Sequence, residues 1–268
     1  MRGLTARLAR LAQTLGVAAA RCPVCSALID HPGSPLCPAC AEALRPRLAG
    51  CCARCGDMFG DGPDHASEER LDESGHESRG PAIICAECRL DPPPWDRLFF
   101  HGAYSGPLRD LIIDFKFHGG LHRTRLLVTL ASEAFRRGAT DAVRTVALPD
   151  IIVPVPLHPR RLRERGYNQS LELARGLGDS LDRPVAADAL ARVRHTAPQM
   201  SLDKDQRREN IRDAFAADAG QVRGRTTLLV DDVYTTGATL TEYARTLRRA
   251  GAAGLDALVL ARAGREPR

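Results

Sequence analysis

The stretch "TTLLVDDVYTTGATL", residues 226–240, sets two adjacent carboxylates between an aliphatic run and a cluster of threonines around a glycine. Leu228, Leu229 and Val230 form a short apolar run without alternation, the pattern of a strand buried on both faces of a parallel sheet. Beyond the threonines, Leu240, Tyr243, Ala244, Leu247 and Ala250 recur at helical spacing, and Gly251 is placed to end that helix. The reading is strand, tight loop, helix. In an open α/β sheet such a loop lies at the carboxyl edge, where the free N–H groups of a helix start attract an anion. Asp231 and Asp232 stand at its mouth.

Working outward, further segments fit an alternating α/β domain. "RLFFHGAY" (97–104) reads as a strand and "GPLRDLIIDFKFHG" as a helix with Leu108, Leu111, Ile112 and Phe115 on one face. "LLVTLASEAFRRG" reads as a second helix. "DIIVPVPLH" (150–158) reads as a strand entering a proline-bound loop, "SLELARGLGDSL" as a helix, and "DALVLARA" as a last buried strand. The expected fold class is therefore an α/β parallel-sheet domain, over residues 95–268.

Ahead of it the chain changes character. The 268 residues include nine cysteines, all before residue 89, eight of them in four CxxC units. These are Cys22 and Cys25, Cys37 and Cys40, Cys52 and Cys55, and Cys85 and Cys88. Two residues between ligands let a turn aim both sulfurs at one ion, so two sets of four thiolates predict two closed, structural zinc sites over residues 22–94. A disulfide framework is the competing reading, disfavoured by the regular units and the lack of an export signal. Cys51 is left over as a spare. The insertion 57–84, rich in acids and glycine, reads as a mobile loop. Its His65 and His76 read as solvated residues, since four thiolates are already at hand.

Residues 1–21 carry Leu4, Leu8, Leu11 and Leu15 on one helical face, interrupted by Arg7 and Arg10. That pattern predicts an amphipathic helix and neither a signal peptide nor a membrane span, so the expected localisation is cytoplasmic. The net charge of +5 is too small to argue for nucleic acid. Arg160, Arg161, Arg163 and Arg165, by contrast, crowd into one loop, where they either form a solvated face or meet anions such as phosphate. Beside them Tyr167 could stack on a base, with Asn168 and Gln169 offering hydrogen bonds, or all three could buttress the loop.

The segment "LLVDDVYTTGATL" closely resembles the phosphoribosyl-pyrophosphate motif of the type I phosphoribosyltransferases. That resemblance gives Asp231 and Asp232 the catalytic role of holding ribose hydroxyls, and Thr235, Thr236, Gly237, Ala238 and Thr239 the 5-phosphate. It puts Val155, Pro156, Leu157 and His158 beside pyrophosphate. The blocks "DFKFHG" (114–119), "VPVPLHPRRLRERGYNQSLELA" (153–174) and "RHTAPQMSLDKDQRRENIRDAF" (194–215) are similar in order and content to the ComF competence family, which joins a cysteine-rich zinc ribbon to a phosphoribosyltransferase-like domain. The third block would be a hood over the diphosphate, made basic by Arg192, Arg194, His195, Lys204, Arg207, Arg208 and Arg212. Thr196 and Gln199 would add neutral donors there.

The resemblance implies phosphoribosyl pyrophosphate as ligand, magnesium beside the two zinc ions, and single-stranded DNA and DNA-uptake proteins as partners. It leaves three functions open: transfer to a nitrogenous acceptor, a non-catalytic sensor or scaffold for DNA uptake, and a zinc-ribbon assembly module with a vestigial transferase fold.

Overall fold

The computed structural model describes residues 21–29, 35–46, 51–52, 54–58, 83–117, 119–139, 147–157, 159–193, 214–235 and 237–264. The chain divides into two compact units, Met1–Arg45 and Pro46–Arg268. The expected N-terminal helix and most of the acidic insertion lie outside the described residues, as do 194–213 of the hood, His158 and Thr236.

In the first unit, helix α1 (Pro38–Ala43) begins directly after Cys37, with proline in its first turn. Cys22, Cys37 and Cys40 are buried together, with Val24, Ile29 and Leu36 packed around them. Cys25 completes a group of four whose Sγ atoms lie within 4.8 Å of one another. Among the described residues of this unit few apolar side chains surround the sulfurs, so an ion shared by the four would supply much of its folding energy.

The second unit carries the other cysteine group, with helix α2 (Ala86–Leu90) starting at Cys85, followed by the α/β domain. Its strands are β1 (Arg97–Ala103), β2 (Ile151–Pro154), β5 (Thr226–Val230), β6 (Val233–Tyr234) and β7 (Gly254–Arg262). They form one parallel sheet in the order β1-β7-β5-β2, with β6 also paired to β7. Val230 pairs with Leu258 and Val233 with Ala261, so β6 continues β5 in register across the acid pair. A separate hairpin joins β3 (Leu190–Arg192) to β4 (Phe215–Ala217).

Helices cover both faces of the sheet, which is why its strands read as continuous apolar runs. On one face, Leu229, Ala257 and Val259 share a core with Tyr243 and Leu247 of α8 (Ala238–Arg249). On the other, α4 (Thr124–Ala139) packs on β1, β7 and α6 (Gln169–Leu181), and Phe99 meets Phe135 edge-on at 5.0 Å. Helix α3 (Gly106–Phe117) buries the predicted face Leu108, Leu111, Ile112 and Phe115. One expectation is corrected: the arginine cluster is not a loop. Residues 159–165 form helix α5, which starts with Pro159, a residue suited to a first turn where its missing N–H costs nothing. Helix α7 (Ala219–Val222) is a single turn leading into β5.

Candidate functional site

Strand β5 delivers Asp231 and Asp232 to the carboxyl edge of the sheet, and their backbone stays in the ladder. The Asp231 N–H donates to the Leu258 carbonyl at 3.0 Å, and the Leu260 N–H to the Asp232 carbonyl at 3.0 Å. The side chains are thus fixed by a rigid strand rather than by a loop. Asp231 Oδ1 accepts from Ser170 Oγ at 2.9 Å and from the Asp232 N–H at 2.9 Å. Asp232 Oδ1 pairs with Lys116 Nζ at 2.9 Å.

Burial and the neighbouring Asp232 charge push the Asp231 carboxyl up to about 7, against the lowering by the Asp232 amide, Lys116 and Ser170. Two carboxylates side by side resist joint ionisation unless a cation or hydroxyl donors arrive. The pair is therefore poised to accept such a ligand.

After β6 the chain turns through Thr235 to Gly237, whose φ of 76° is the left-handed conformation that glycine tolerates, and Gly237 caps α8. A Cβ at this position would collide with the Tyr234 hydroxyl and ring. Glycine is therefore needed for Tyr234 to pack against the start of the helix. Helix α8 opens onto a cavity of about 190 Å³ lined by Thr235, Gly237, Thr239 and both aspartates. The N–H groups of a helix's first turn and its dipole favour an anion.

The facing wall comes from Val155, Pro156 and Leu157 after β2, and from Lys116, Arg161, Arg165 and Arg192. Desolvation depresses the pKa of Arg165, although the Asp232 charge opposes that shift. Arg192, from the β3–β4 hairpin, lies 5.7 Å over the Phe215 ring, and Phe215 in turn stacks on Tyr243 at 4.0 Å. Three guanidinium groups and one ammonium thus surround two carboxylates, which suits a ligand carrying several phosphates.

The cavity does not gather every predicted residue. Arg160 pairs with Glu164 at 2.9 Å on the solvent side of α5, and Arg163 is also exposed there. Tyr167 is a buttress: its hydroxyl donates to the Phe115 carbonyl and its ring tilts against Phe115 at 5.8 Å. Asn168 caps α6 by accepting from the Ser170 N–H at 3.1 Å, and its Nδ2 donates to the Val155 carbonyl at 3.0 Å. It therefore ties helix to loop. Gln169 lines the cavity, its Oε1 accepting from Arg165 Nη1 at 3.0 Å. Ala238 starts α8 and packs toward the core.

Sequence reasoning placed none of Lys116, Ser170, Tyr234 and Tyr243 in the site, and read Tyr243 only as part of a helix's apolar face. Lys116 lay inside "DFKFHG", but nothing local places a lysine on α3 against a carboxylate over a hundred residues away.

Each cysteine group suits a tetrahedral ion. Zinc–sulfur bonds of about 2.3 Å space the sulfurs about 3.8 Å apart, and Cys25 to Cys37 measures 3.6 Å and Cys55 to Cys85 3.8 Å. A disulfide needs about 2.05 Å, and all nine cysteines are free thiols. Burial opposes ionisation of Cys22, but the amides of Cys37, Cys25 and Val24 bring its thiol down to about 6. Both groups could hold a metal ion, as the zinc-ribbon reading requires. No helix among the described residues is long and apolar enough to cross a membrane.

Residues 168–268 match the model of the phosphoribosyl transferase domain. The chain is 39% identical over 193 residues to Competence protein F of Haemophilus influenzae, covering 70% of this chain and 82% of that protein. It is 34% identical over 228 residues to the DNA utilization protein YhgH of Salmonella typhi, covering 85% and 90%. It is 38% identical over 182 residues to the YhgH of Escherichia coli K12, covering 67% and 78%.

Proposed function

The chain belongs to the ComF competence family, and from that premise we propose that its sheet domain binds phosphoribosyl pyrophosphate with magnesium and transfers the phosphoribosyl group to a nitrogenous acceptor, in the service of DNA uptake. The observation that carries this reading is one cavity holding the acid pair, a helix N-terminus and Lys116, Arg161, Arg165 and Arg192. Asp231 and Asp232 accept the two vicinal ribose hydroxyls, and the first turn of α8 with Thr235 and Thr239 takes the 5-phosphate. Arg161, Arg165 and the loop 155–157 face the diphosphate.

Magnesium is a hard cation suited to carboxylate and phosphate oxygens, and beside Asp231 and Asp232 it would neutralise charge on the leaving diphosphate. In the reaction the acceptor nitrogen bonds to ribose C1 as the bond from C1 to the diphosphate oxygen breaks, pyrophosphate departs with that electron pair, and the nitrogen's proton passes to water. The carboxylates favour the electron-poor sugar, and the guanidinium groups stabilise the departing pyrophosphate. Each group of four cysteines would hold a zinc ion in a structural role, since four thiolates would leave no open position for catalysis.

Calorimetry with phosphoribosyl pyrophosphate, with and without magnesium, tests the reading, followed by a pyrophosphate-release screen over nucleobases. Magnesium-dependent binding is expected, and so is a loss in the variant carrying Asp231→Asn and Asp232→Asn of about ten- to hundredfold for each charge-assisted bond removed, at about 1.5–3 kcal/mol per bond. Equal binding by wild type and this variant refutes the site.

A second reading, a non-catalytic protein that handles single-stranded DNA, is favoured by one surface feature. Phe117 is 63% exposed and carries the Arg165 guanidinium at 4.8 Å, next to the exposed arginines of α5. An aromatic face beside a basic helix suits stacked bases and their phosphates. Binding without pyrophosphate release for any base, together with salt-dependent DNA binding, would select this reading.

A further inference from the structure

Arg262 closes strand β7 and is 3% exposed, so its N–H donors need partners inside the protein. The partners come from two places. Nε donates to the Cys55 carbonyl at 3.0 Å, and Nη2 lies 3.6 Å from Asp57 Oδ1, both on the second cysteine knuckle. Nη1 donates to the Thr235 carbonyl at 3.0 Å and to the Ala263 carbonyl, while the guanidinium lies 4.4 Å over the Tyr234 ring.

A second fastening runs parallel to this one. Trp95 Nε1 donates to the Arg54 carbonyl at 2.8 Å, Arg54 Nη1 donates to the Trp95 carbonyl at 3.3 Å, and Trp95 meets Tyr234 edge-on at 5.8 Å. Tyr234 in turn backs Gly237, the cap of α8.

We propose that Arg262 is a positioning residue that fixes the Thr235–Thr239 loop only while the knuckle of Cys52, Cys55, Cys85 and Cys88 is closed. The proposal rests on reading that loop as the phosphate cradle. The turn that presents the Cys55 carbonyl and Asp57 to Arg262 is held by the Gly56 N–H donating to the Cys52 carbonyl and the Cys52 N–H to the Asp57 carbonyl, each 2.8 Å. Small knuckles of this kind take their folding energy from the ion that their thiolates share. When the thiolates part, Arg262 loses two of its partners, and a buried guanidinium with unfilled donors must find others. Its grip on Thr235 is then no longer fixed in direction. By reciprocity, a phosphate held by the loop strengthens the knuckle, and a closed knuckle strengthens phosphate binding.

Hydrogen exchange on the full zinc-loaded chain tests the coupling without any ligand. Peptides spanning Thr235 to Thr239 should exchange about fivefold faster or more in Cys85→Ala and in Arg262→Met, the low end of ordinary coupling between sites. The double variant should be no faster than either single one, because both break the same link. Arg262→Lys, which keeps the charge over Tyr234 but loses the fork, should fall between. Peptides of α4 should keep their wild-type rates.

If Arg262→Met does not fold, Asp57→Asn replaces it, with a smaller acceleration expected. Wild-type exchange of the loop in Cys85→Ala, or additive effects in the double variant, overturns the proposal. Calorimetry on the same proteins separates the two readings. Loop exchange that follows the knuckle, in a wild type that binds no phosphoribosyl pyrophosphate, sustains the clamp and sinks the proposed ligand. Binding unaltered by Cys85→Ala sinks the clamp alone.

Discussion

Replacing Asp231 with asparagine should stabilise the free protein while weakening the site. The asparagine Oδ1 can still accept from Ser170 Oγ and from the Asp232 N–H, so the geometry is kept and only the charge is removed. Burial first, and the Asp232 charge second, move the wild-type carboxyl from 3.8 to about 7. At 1.36 kcal/mol per pH unit, ionising it costs the folded chain at most about 4 kcal/mol. Because Asp231 keeps a face on the cavity, solvent screening brings the measurable part to about half of that.

The direction follows from proton counting. Between pH 4 and 7 the folded chain holds a proton on Asp231 that the unfolded chain has released, so stability falls as pH rises through this window. Below pH 4 both states are protonated and the penalty vanishes; above 7 it is complete. Trp95, the single tryptophan, is buried in the same unit and reports its unfolding. Urea titrations at pH 5, 6, 7 and 8 should show wild-type stability declining by about 1.4 kcal/mol more than that of Asp231→Asn, with the variant the more stable at pH 8. Parallel pH profiles, or a variant less stable than wild type at pH 8, would refute the argument that this carboxylate is held at a cost to the fold.

Gly237→Ala should abolish ligand binding and destabilise the second unit by about 1–3 kcal/mol, since both the positive φ and the Tyr234 hydroxyl oppose a Cβ; calorimetry and urea titration check this. Lys116→Gln removes a charge that lowers the Asp231 carboxyl, so Asp231 should titrate at higher pH than in the wild type, as read by carbon-13 NMR of the aspartates. Native mass spectrometry should find two zinc ions, and Cys37→Ser should lose one and unfold the first unit, leaving Trp95 fluorescence unchanged. Arg160→Ala with Arg163→Ala should flatten the salt dependence of single-stranded DNA binding by about two phosphate contacts; an unchanged slope would remove α5 from the nucleic-acid surface.

Much of this protein was legible one segment at a time. The strand Thr226–Val230, the buried face of α3 and the helix that Gly251 terminates follow from local apolar spacing, because each is set by which residues must leave water. The cysteine groups were equally legible, since a CxxC turn brings two ligands together without help from the rest of the fold. Short-range pattern failed at the arginine cluster: four arginines and a proline read as a loop, yet proline is suited to open a helix and the Arg160–Glu164 pair spans one turn of it.

What the sequence could not contain was long-range placement. Lys116 and Asp232, Ser170 and Asp231, and Arg262 and Cys55 lie 116, 61 and 207 residues apart. No periodicity encodes such pairs. They meet because the parallel sheet delivers the ends of β5, β6 and β7 to one edge and the helices pack over it. The same packing turned Tyr167 into a support for Phe115 and left Arg160 and Arg163 in solvent, since a side chain's role depends on which neighbours desolvate it. Chemistry of residue types was written in the chain; which charges face one another, and at what cost, was decided by tertiary structure.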